Sequence, residues 1–420
     1  MNILLLGNGG REHAFAWKLS QSPGLKKLFI APGNAGTSGL GSNIPVNLKD
    51  FESISNVVRE QKIEMLIVGP EMPLVSGISD YMNARFSHLQ VIGPNKSASM
   101  LEGSKSFAKS FMERHGIPTA SYHQFSNDDV EKGLRYLDNH PLPIVLKADG
   151  LAAGKGVLIC SDREHAKAEF TSMLKGKFGE ASKTVLVEQF LDGMEFSVFV
   201  VSDGSDYCIL PTAKDYKRIG VGDTGLNTGG MGSVSPVPFV NEAFMKKVEN
   251  KIIRPTIAGL QSENIEYRGF LFFGLIAMRN EPLVIEYNCR MGDPETQSVF
   301  SRLKTDLVEL CVAIDGNRIH QIMIEEDERA ASTVVLVSGG YPGNYEKGKK
   351  IEGLELVKGS IIFHAGTRME KNNVLTNGGR VLAITSLAET FHQAIQISNA
   401  NAEVISFEGK YYRKDIGFDL

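Results

Sequence analysis

Cysteine is scarce. Only Cys160, Cys208, Cys289 and Cys311 occur in 420 residues, with no CxxC pair and no Cys/His zinc spacing. This excludes a disulfide framework and a zinc module and reads as reduced thiols of a cytosolic protein. Cys289 alone lies near candidate chemistry, and no histidine close in sequence could activate it. Neither sign of charge dominates: 45 Lys and Arg face 49 Asp and Glu, a net charge of −4. No electrostatic signature of nucleic-acid binding follows. No apolar run approaches the ~18 residues of a membrane span. The first residues carry no basic leader or cleavage site. A cytoplasmic protein with neither a membrane nor a nucleic-acid partner is expected. Internal repeats and low-complexity segments are also absent.

What is present is a length suited to about two to four domains. Residues 3–6, 27–31, 65–68 and 90–92 are short apolar runs, with helical stretches at 12–20 and 51–61 between the first of them. Strand–helix alternation of this kind predicts an open parallel α/β sheet. A helix over 105–115 leads to a smaller unit with strands at 144–147, 156–160 and 184–189 and a helix at 163–174. Strands at 195–202, 270–278 and 283–288 follow, then a helix at 305–315. The last stretch is β-rich, with strands at 332–337, 361–365, 380–386 and 411–413 and a helix at 387–401.

Gly7-Asn8-Gly9-Gly10-Arg11-Glu12 joins the first strand to the first helix. Backbone N–H groups at such a helix start suit an anion. A dinucleotide-binding dehydrogenase is disfavoured. Glu12 stands where GxGxxG has its third glycine, and the second strand ends at Ala31-Pro32-Gly33 rather than at a ribose-binding acid. A phosphate-binding turn for another ligand, or a purely structural turn, remains. Arg11 could add a charge-assisted bond to a phosphate.

Lys147-Ala148-Asp149-Gly150-Leu151-Ala152-Ala153-Gly154-Lys155-Gly156 is a second glycine-rich connection, between two apolar runs. Its glycines permit close approach of a ligand to the backbone, and its two lysines suit a polyphosphate. It is not a P-loop: three residues, not four, separate Gly150 from Gly154, and Gly156 follows the lysine. The stretch 343–349 has P-loop spacing, but Lys350 follows and no helical pattern, so it reads as a surface turn.

Glu286 and Asn288 are two apart on an apparent strand and share a face. One carboxylate and one amide oxygen suit a hard cation that takes its other ligands from phosphates and water. Arg290 continues that face and could hold a phosphate or carboxylate in a bidentate way. Asp293 follows in the Gly292–Pro294 turn. Residues 210–232 read as a long polar loop of functional kind.

These segments in their order resemble the phosphoribosylamine–glycine ligase family of the ATP-grasp superfamily. The resemblance runs from residue 7 to residue 417 and includes Val68-Gly69-Pro70-Glu71, Leu101-Glu102-Gly103-Ser104-Lys105, Asn227-Thr228-Gly229-Gly230-Met231-Gly232, Asn288-Cys289-Arg290-Met291-Gly292-Asp293-Pro294-Glu295 and Ser338-Gly339-Gly340-Tyr341-Pro342. It implies a multi-domain α/β architecture. An N-terminal open parallel sheet domain spans 1–104, an ATP-grasp linker and lid 105–190, a central ATP-grasp unit 191–325 and a β-rich domain 326–420. It implies ATP-dependent joining of glycine to 5-phosphoribosylamine through an acyl phosphate, in purine synthesis, with Mg2+ or Mn2+. By the same resemblance Lys105, Lys147, Gly154, Lys155 and Gly156 would meet the ATP phosphates. Glu188, Phe190 and Leu191 would line the adenine, and Glu195 would bind the ribose. Glu286 and Asn288 would hold the metal. Gly9, Gly10 and Arg11 would face the ribosylamine phosphate and Glu71 its hydroxyls, with Lys217 and Arg218 also on substrate. Arg290, Asp215 and Asp293 would hold glycine and the developing acyl phosphate.

Three departures from the family pattern stand out. Lys214-Asp215-Tyr216-Lys217-Arg218 replaces the usual Gln-Asp-His-Lys-Arg, and Gly225-Leu226-Asn227-Thr228 the usual Gly-Pro-Asn-Thr. Phe272-Phe273-Gly274 lacks the metal-binding acid that many ATP-grasp enzymes carry on that strand. A monomer, or at most a weak homodimer, is expected. The alternatives are another ATP-grasp ligase or a carboxylase acting on a related ribotide, a nicotinamide oxidoreductase, and a silent metabolite-binding protein.

Overall fold

The structure is a computed structural model that describes residues 1–152 and 156–420. Its first sheet is five-stranded and wholly parallel, in the spatial order Ser42–Asn43, Lys27–Pro32, Asn2–Gly7, Met65–Val68, Gln90–Ile92. The order reverses direction beside the first strand, so a crevice opens at the carboxyl ends of the strands. That end carries Gly7, Pro32 and Gly69. Residues 3–6 are fully buried because both faces of this strand are covered. Ile3 and Leu5 enter one core cluster, Leu4 and Leu6 another. The helix Phe51–Glu60 starts where Asp50 accepts from Ser53 N, and it buries Ile54, Val57 and Val58.

A separate four-stranded sheet has the order Tyr122–Ser126, Thr184–Gln189, Ile144–Ala148, Val157–Cys160, every pair antiparallel. Helices Val130–Asn139 and Arg163–Ser172 cover it, and Phe125, Leu137, Ile144, Leu146, Phe170 and Val187 form a core of its own. The central sheet runs Tyr207–Ile209, Met194–Ser202, Gly269–Met278, Glu281–Asn288. The last large sheet runs Lys214–Asp215, Gly232–Ser235, Ala330–Val337, Arg380–Ala388, Ser360–His364. Among the described residues no helix is long and apolar enough to cross a membrane.

Several expectations needed correction. The stretch 210–232 is not one loop. It contains the strand Lys214–Asp215 of the last sheet and a hairpin, Arg218–Gly220 with Thr224–Asn227, and runs into the strand Gly232–Ser235. The final helix begins at Phe391, because Leu387 and Ala388 still pair with Ala331 and Ala330; Thr390 and Gln393 then close a capping box. The strand expected at 411–413 is a single bridge between Tyr411 and Val337. Helices Val130–Asn139, Arg254–Ser262 and Glu295–Arg302 had no counterpart in the sequence reading.

Candidate active site

A cavity of about 180 Å³ separates the small sheet from the central sheet. Lys147, Gly156, Val157 and Glu188 form one wall, and Ile285, Glu286 and Asn288 the opposite wall. The helix Lys105–Arg114 contributes Lys105 and Lys109, while Glu71, Glu102 and Arg290 close one end. Gly154 and Lys155 lie outside the described residues.

The first wall is organised around Glu188. Its Oε2 lies 3.0 Å from Lys147 Nζ and 3.0 Å from Lys109 Nζ. Burial alone would raise the Glu188 carboxyl, but the two ammonium groups hold it below the usual carboxylate range. Its Oε1 is buried and has no hydrogen-bond partner among the described residues. Burial lowers Lys109 to about 8, against the opposing pull of Glu188. Lys147 Nζ also donates across the cavity to the Ile285 carbonyl at 3.3 Å. Asp149 fixes the start of the Lys105–Arg114 helix: its Oδ1 accepts from Ser106 N at 2.7 Å and Ser104 Oγ at 2.9 Å. Burial lowers Lys105, with Glu286 pulling the other way.

On the opposite wall a register irregularity at Gly274/Leu275 sets Glu286 against Gly274. A Cβ on Gly274 would stand 3.1 Å from Glu286 Cγ, so glycine leaves room for that side chain. Glu286 and Asn288 both face the cavity, while Tyr287 between them packs on Phe273. Among the described residues no three His, Cys, Asp or Glu side chains converge as a metal cluster. One carboxylate and one amide oxygen fit a magnesium-type ion that draws most of its ligands from phosphate and water.

At the closed end Arg290 Nη2 pairs with Glu102 Oε1 at 2.8 Å, and its Nε with Glu71 Oε2 at 3.3 Å. Burial would raise Glu71, but Arg290 and Arg11 hold it down at about 2. Glu102 also accepts from Cys289 N and Sγ. Burial and that carboxylate push the Cys289 thiol well up, so no thiolate forms there.

The first glycine turn meets this end from the parallel sheet. Gly9 caps the helix Gly10–Leu19, and its N–H donates to Glu12 Oε2 at 2.6 Å. Glu12 also takes Arg11 Nε at 2.7 Å. Cβ atoms on Gly7 and Gly69 would come within 2.3 Å and 2.4 Å of the Glu12 side chain. The residue that breaks the dinucleotide pattern is thus the acid around which both glycines fold. Asp293 is beside the same turn, its carboxylate held by Gln297 Nε2 at 2.8 Å and Arg380 Nη2 at 3.1 Å.

A third group adjoins Glu286. Lys217 Nζ lies 2.7 Å from Glu195 Oε2 and 4.0 Å from Asp215 Oδ1. Burial raises the Asp215 carboxyl. Glu295, buried at the start of its helix, is pushed up by burial and then by the charge of Asp215.

The expected residues Lys105, Lys147, Gly156, Glu188, Glu71, Glu286, Asn288 and Arg290 therefore share one cavity. Asp215, Glu195 and Lys217 form the group beside it, and Gly9, Gly10, Arg11 and Asp293 the turn at its end. Phe190 and Leu191 stand beyond the strand Thr184–Gln189, outside the cavity lining. Arg218 donates to Gly225 O within its own hairpin. Lys109, Glu102, Glu12, Glu295 and Arg380 join these groups without being among the residues singled out above as functional candidates. Lys109 was within reach, one helical turn after Lys105. Glu102, Glu12 and Glu295 stood inside segments already singled out. Arg380 carried no local signal.

A glycine-bearing antiparallel sheet that closes a lysine-lined cavity against a carboxylate-bearing sheet defines the ATP-grasp class. The chain matches family models described as phosphoribosylglycinamide synthetase N domain over residues 1–102, ATP-grasp (A) domain over 103–296 and C domain over 331–419. The chain belongs to the phosphoribosylglycinamide synthetase family. It is 46% identical to phosphoribosylamine–glycine ligase of Pasteurella multocida (strain Pm70) over 423 residues, covering 100% of this chain and 98% of that one. The crystal structure of phosphoribosylamine–glycine ligase from Thermotoga maritima superposes with a TM-score of 0.87 at 35% identity, covering 99% of this chain and 100% of that one. N5-carboxyaminoimidazole ribonucleotide synthetase from the same organism shares the fold, with a TM-score of 0.65 at 16% identity over 97% and 99% of the two chains.

Proposed function

We propose that the chain joins glycine to 5-phosphoribosylamine, giving glycinamide ribonucleotide, ADP and phosphate, as a step of purine biosynthesis. One observation carries this reading: Lys105 and Lys147 face Glu286 and Asn288 across a single cavity, in a chain related over its whole length to ligases of that name. Lys105, Lys147 and the amides of the 147–157 connection bind the triphosphate. Glu188 offers its unpaired Oε1 to an amino group of the base, with Phe190 and Leu191 beside it and Glu195 on the ribose. Glu286 and Asn288 would hold Mg2+, or Mn2+, which would supply positive charge against the polyphosphate.

A glycine carboxylate oxygen then attacks the γ-phosphorus, and the bond to ADP breaks. Arg290, Asp215 and Asp293 orient glycine, and Arg290 stabilises the charge of the acyl phosphate. Gly9, Gly10 and Arg11 take the ribosylamine phosphate, Glu71 its hydroxyls, and Lys217 faces the reacting groups. The ribosylamine nitrogen attacks the glycyl carbonyl carbon, phosphate leaves, and the nitrogen gives up a proton. No protein nucleophile is required. Residues 105–190 act as linker and lid, the 120–190 unit closing over ATP and keeping water from the intermediate. Residues 1–104, 191–325 and 326–420 supply the ribosylamine site, the metal wall and the β-rich support. The protein acts as a cytoplasmic monomer, which sedimentation checks.

The test is ADP formation with freshly made phosphoribosylamine. Turnover should require glycine. ADP release that depends on bicarbonate instead would move the chain to a ribotide carboxylase and overturn the reading.

A further inference from the structure

Two of the residues that depart from the family's usual pattern, Lys214 and Tyr216, meet the same carboxylate. Asp419 Oδ1 accepts from Tyr216 OH at 2.8 Å, and its Oδ2 lies 3.1 Å from Lys214 Nζ. Lys214 and Tyr216 are both buried, and they alternate along the chain with Asp215 and Lys217. In an extended segment alternate residues point to opposite sides. One side of this segment therefore faces Asp419, and the other bears the pair that adjoins Glu195 and Glu286.

Other contacts hold the same clamp. The backbone of the segment is paired to Gly232–Ser235, with Lys214 opposite Val234 and Asp215 opposite Ser233. Tyr216 N donates to Gly232 O, and Met231 N to Tyr216 O. The fully buried Arg413 lies over the Tyr216 ring at 5.5 Å and the Phe418 ring at 5.7 Å. It also donates to the Arg218 carbonyl and pairs with Asp223 and Asp415. Segment 413–419 thus grips the chain on both flanks of Asp215 and Lys217.

The charge arithmetic makes Asp419 the critical member. Lys214 is a buried ammonium, and such a charge needs a partner. Its field already acts on Asp215 and Glu195. Without Asp419, Asp215 and Glu195 remain as acids within reach of its charge.

We propose that Asp419 is a positioning residue for the ligation reaction: by pairing with Lys214 and Tyr216 on the rear face, it keeps Lys214 from capturing Asp215 and so holds Asp215 and Lys217 toward glycine. This rests on the placement of Asp215 and Lys217 in the glycine site. Asp419→Asn keeps the size and removes the charge. It should lower kcat about tenfold or more and raise the KM for glycine well above any change in the KM for ATP, because ATP meets this group only through Glu195 while its phosphates are held on another wall. Asp419→Glu should recover part of the loss. Lys214→Gln added to Asp419→Asn should recover most of it, since no buried charge is then left unpaired. That double variant also keeps the test open if Asp419→Asn alone fails to fold. Unchanged glycine kinetics in Asp419→Asn, or equal losses for ATP and glycine with no recovery in the double variant, would overturn the proposal. If the unaltered protein showed no glycine-dependent ADP formation, the functional reading itself would fail instead.

Discussion

The small sheet over residues 122–189 and the rest of the molecule are built on different terms. The small sheet has one core of its own, centred on Ile144, Leu146, Phe170 and Val187. The other three large sheets share two cores. One joins Ile3 and Leu5 of the parallel sheet to Phe270 of the central sheet and Leu336 and Ile384 of the last. The other joins Leu4 and Leu6 to Val198, Leu271 and Phe273. The difference teaches where motion is cheap. Across the cavity the small sheet meets the body through polar contacts such as Lys147 to the Ile285 carbonyl, while its own apolar core is not shared with the body. Lys147 rides on the separately packed sheet, whereas Lys105 and Lys109, on a helix whose Ala108, Phe111 and Met112 join a shared core, stay with Glu286 and Asn288 on the body.

Phe170→Ala tests the separateness most strongly. Truncating this buried ring should cost about 3–5 kcal/mol and split thermal unfolding into an early lid transition and an unchanged body transition. A single transition shifted as a whole would mean that the two regions share their stability. Next in size, Glu286→Ala should lower kcat about a hundredfold by removing a metal-binding oxygen from the fixed wall, with lid stability untouched. Undiminished turnover at ordinary magnesium would remove Glu286 from the metal site.

Acid should then act on the body through a buried histidine pair. His13, on the first helix, accepts from His364 N at 2.7 Å, and Asn34 binds the His364 carbonyl. Burial lowers His13 to about 3 and His364 to about 4, His13 being lowered further by its neighbour. Both values lie below the unfolded one, so the unfolded chain binds more protons and stability falls as pH falls. The contribution is complete above pH about 6.5 and should shrink by about 2 kcal/mol per histidine by pH 5. His13→Gln should flatten that dependence in denaturant titrations of the body. The smallest effect is Arg11→Ala, which should raise the KM for phosphoribosylamine about tenfold and leave that for ATP unchanged. A change confined to ATP would place the first glycine turn with the lid instead.

Much of this frame was legible along the chain. The run 3–6 announced a strand buried on both faces, and the Glu286–Asn288 spacing announced two oxygens on one wall. Both signals are local, set by a period of two and by burial. Helix Glu295–Arg302 was not legible because its buried residues include the polar Thr296, Gln297 and Ser298, and Ser298 finds its partners far away, in Ser233 and Thr333. Residues 210–232 looked like a loop because glycine and hydroxyl residues dominate them, yet Gly232 opens a strand that pairs with residues 331–334, about a hundred positions away.

By itself the sequence determined the order of elements, the two glycine-rich connections and the residue types that can grip phosphate and metal, since backbone freedom, side-chain period and charge are written locally. Only the tertiary structure decided which charges share a partner. Glu188 bridging Lys109 and Lys147, Glu71 lying between Arg11 and Arg290, and Asp419 joining Lys214 to Tyr216 are pairings across tens to hundreds of residues. They form because a buried charge must find an opposite one wherever the fold brings it.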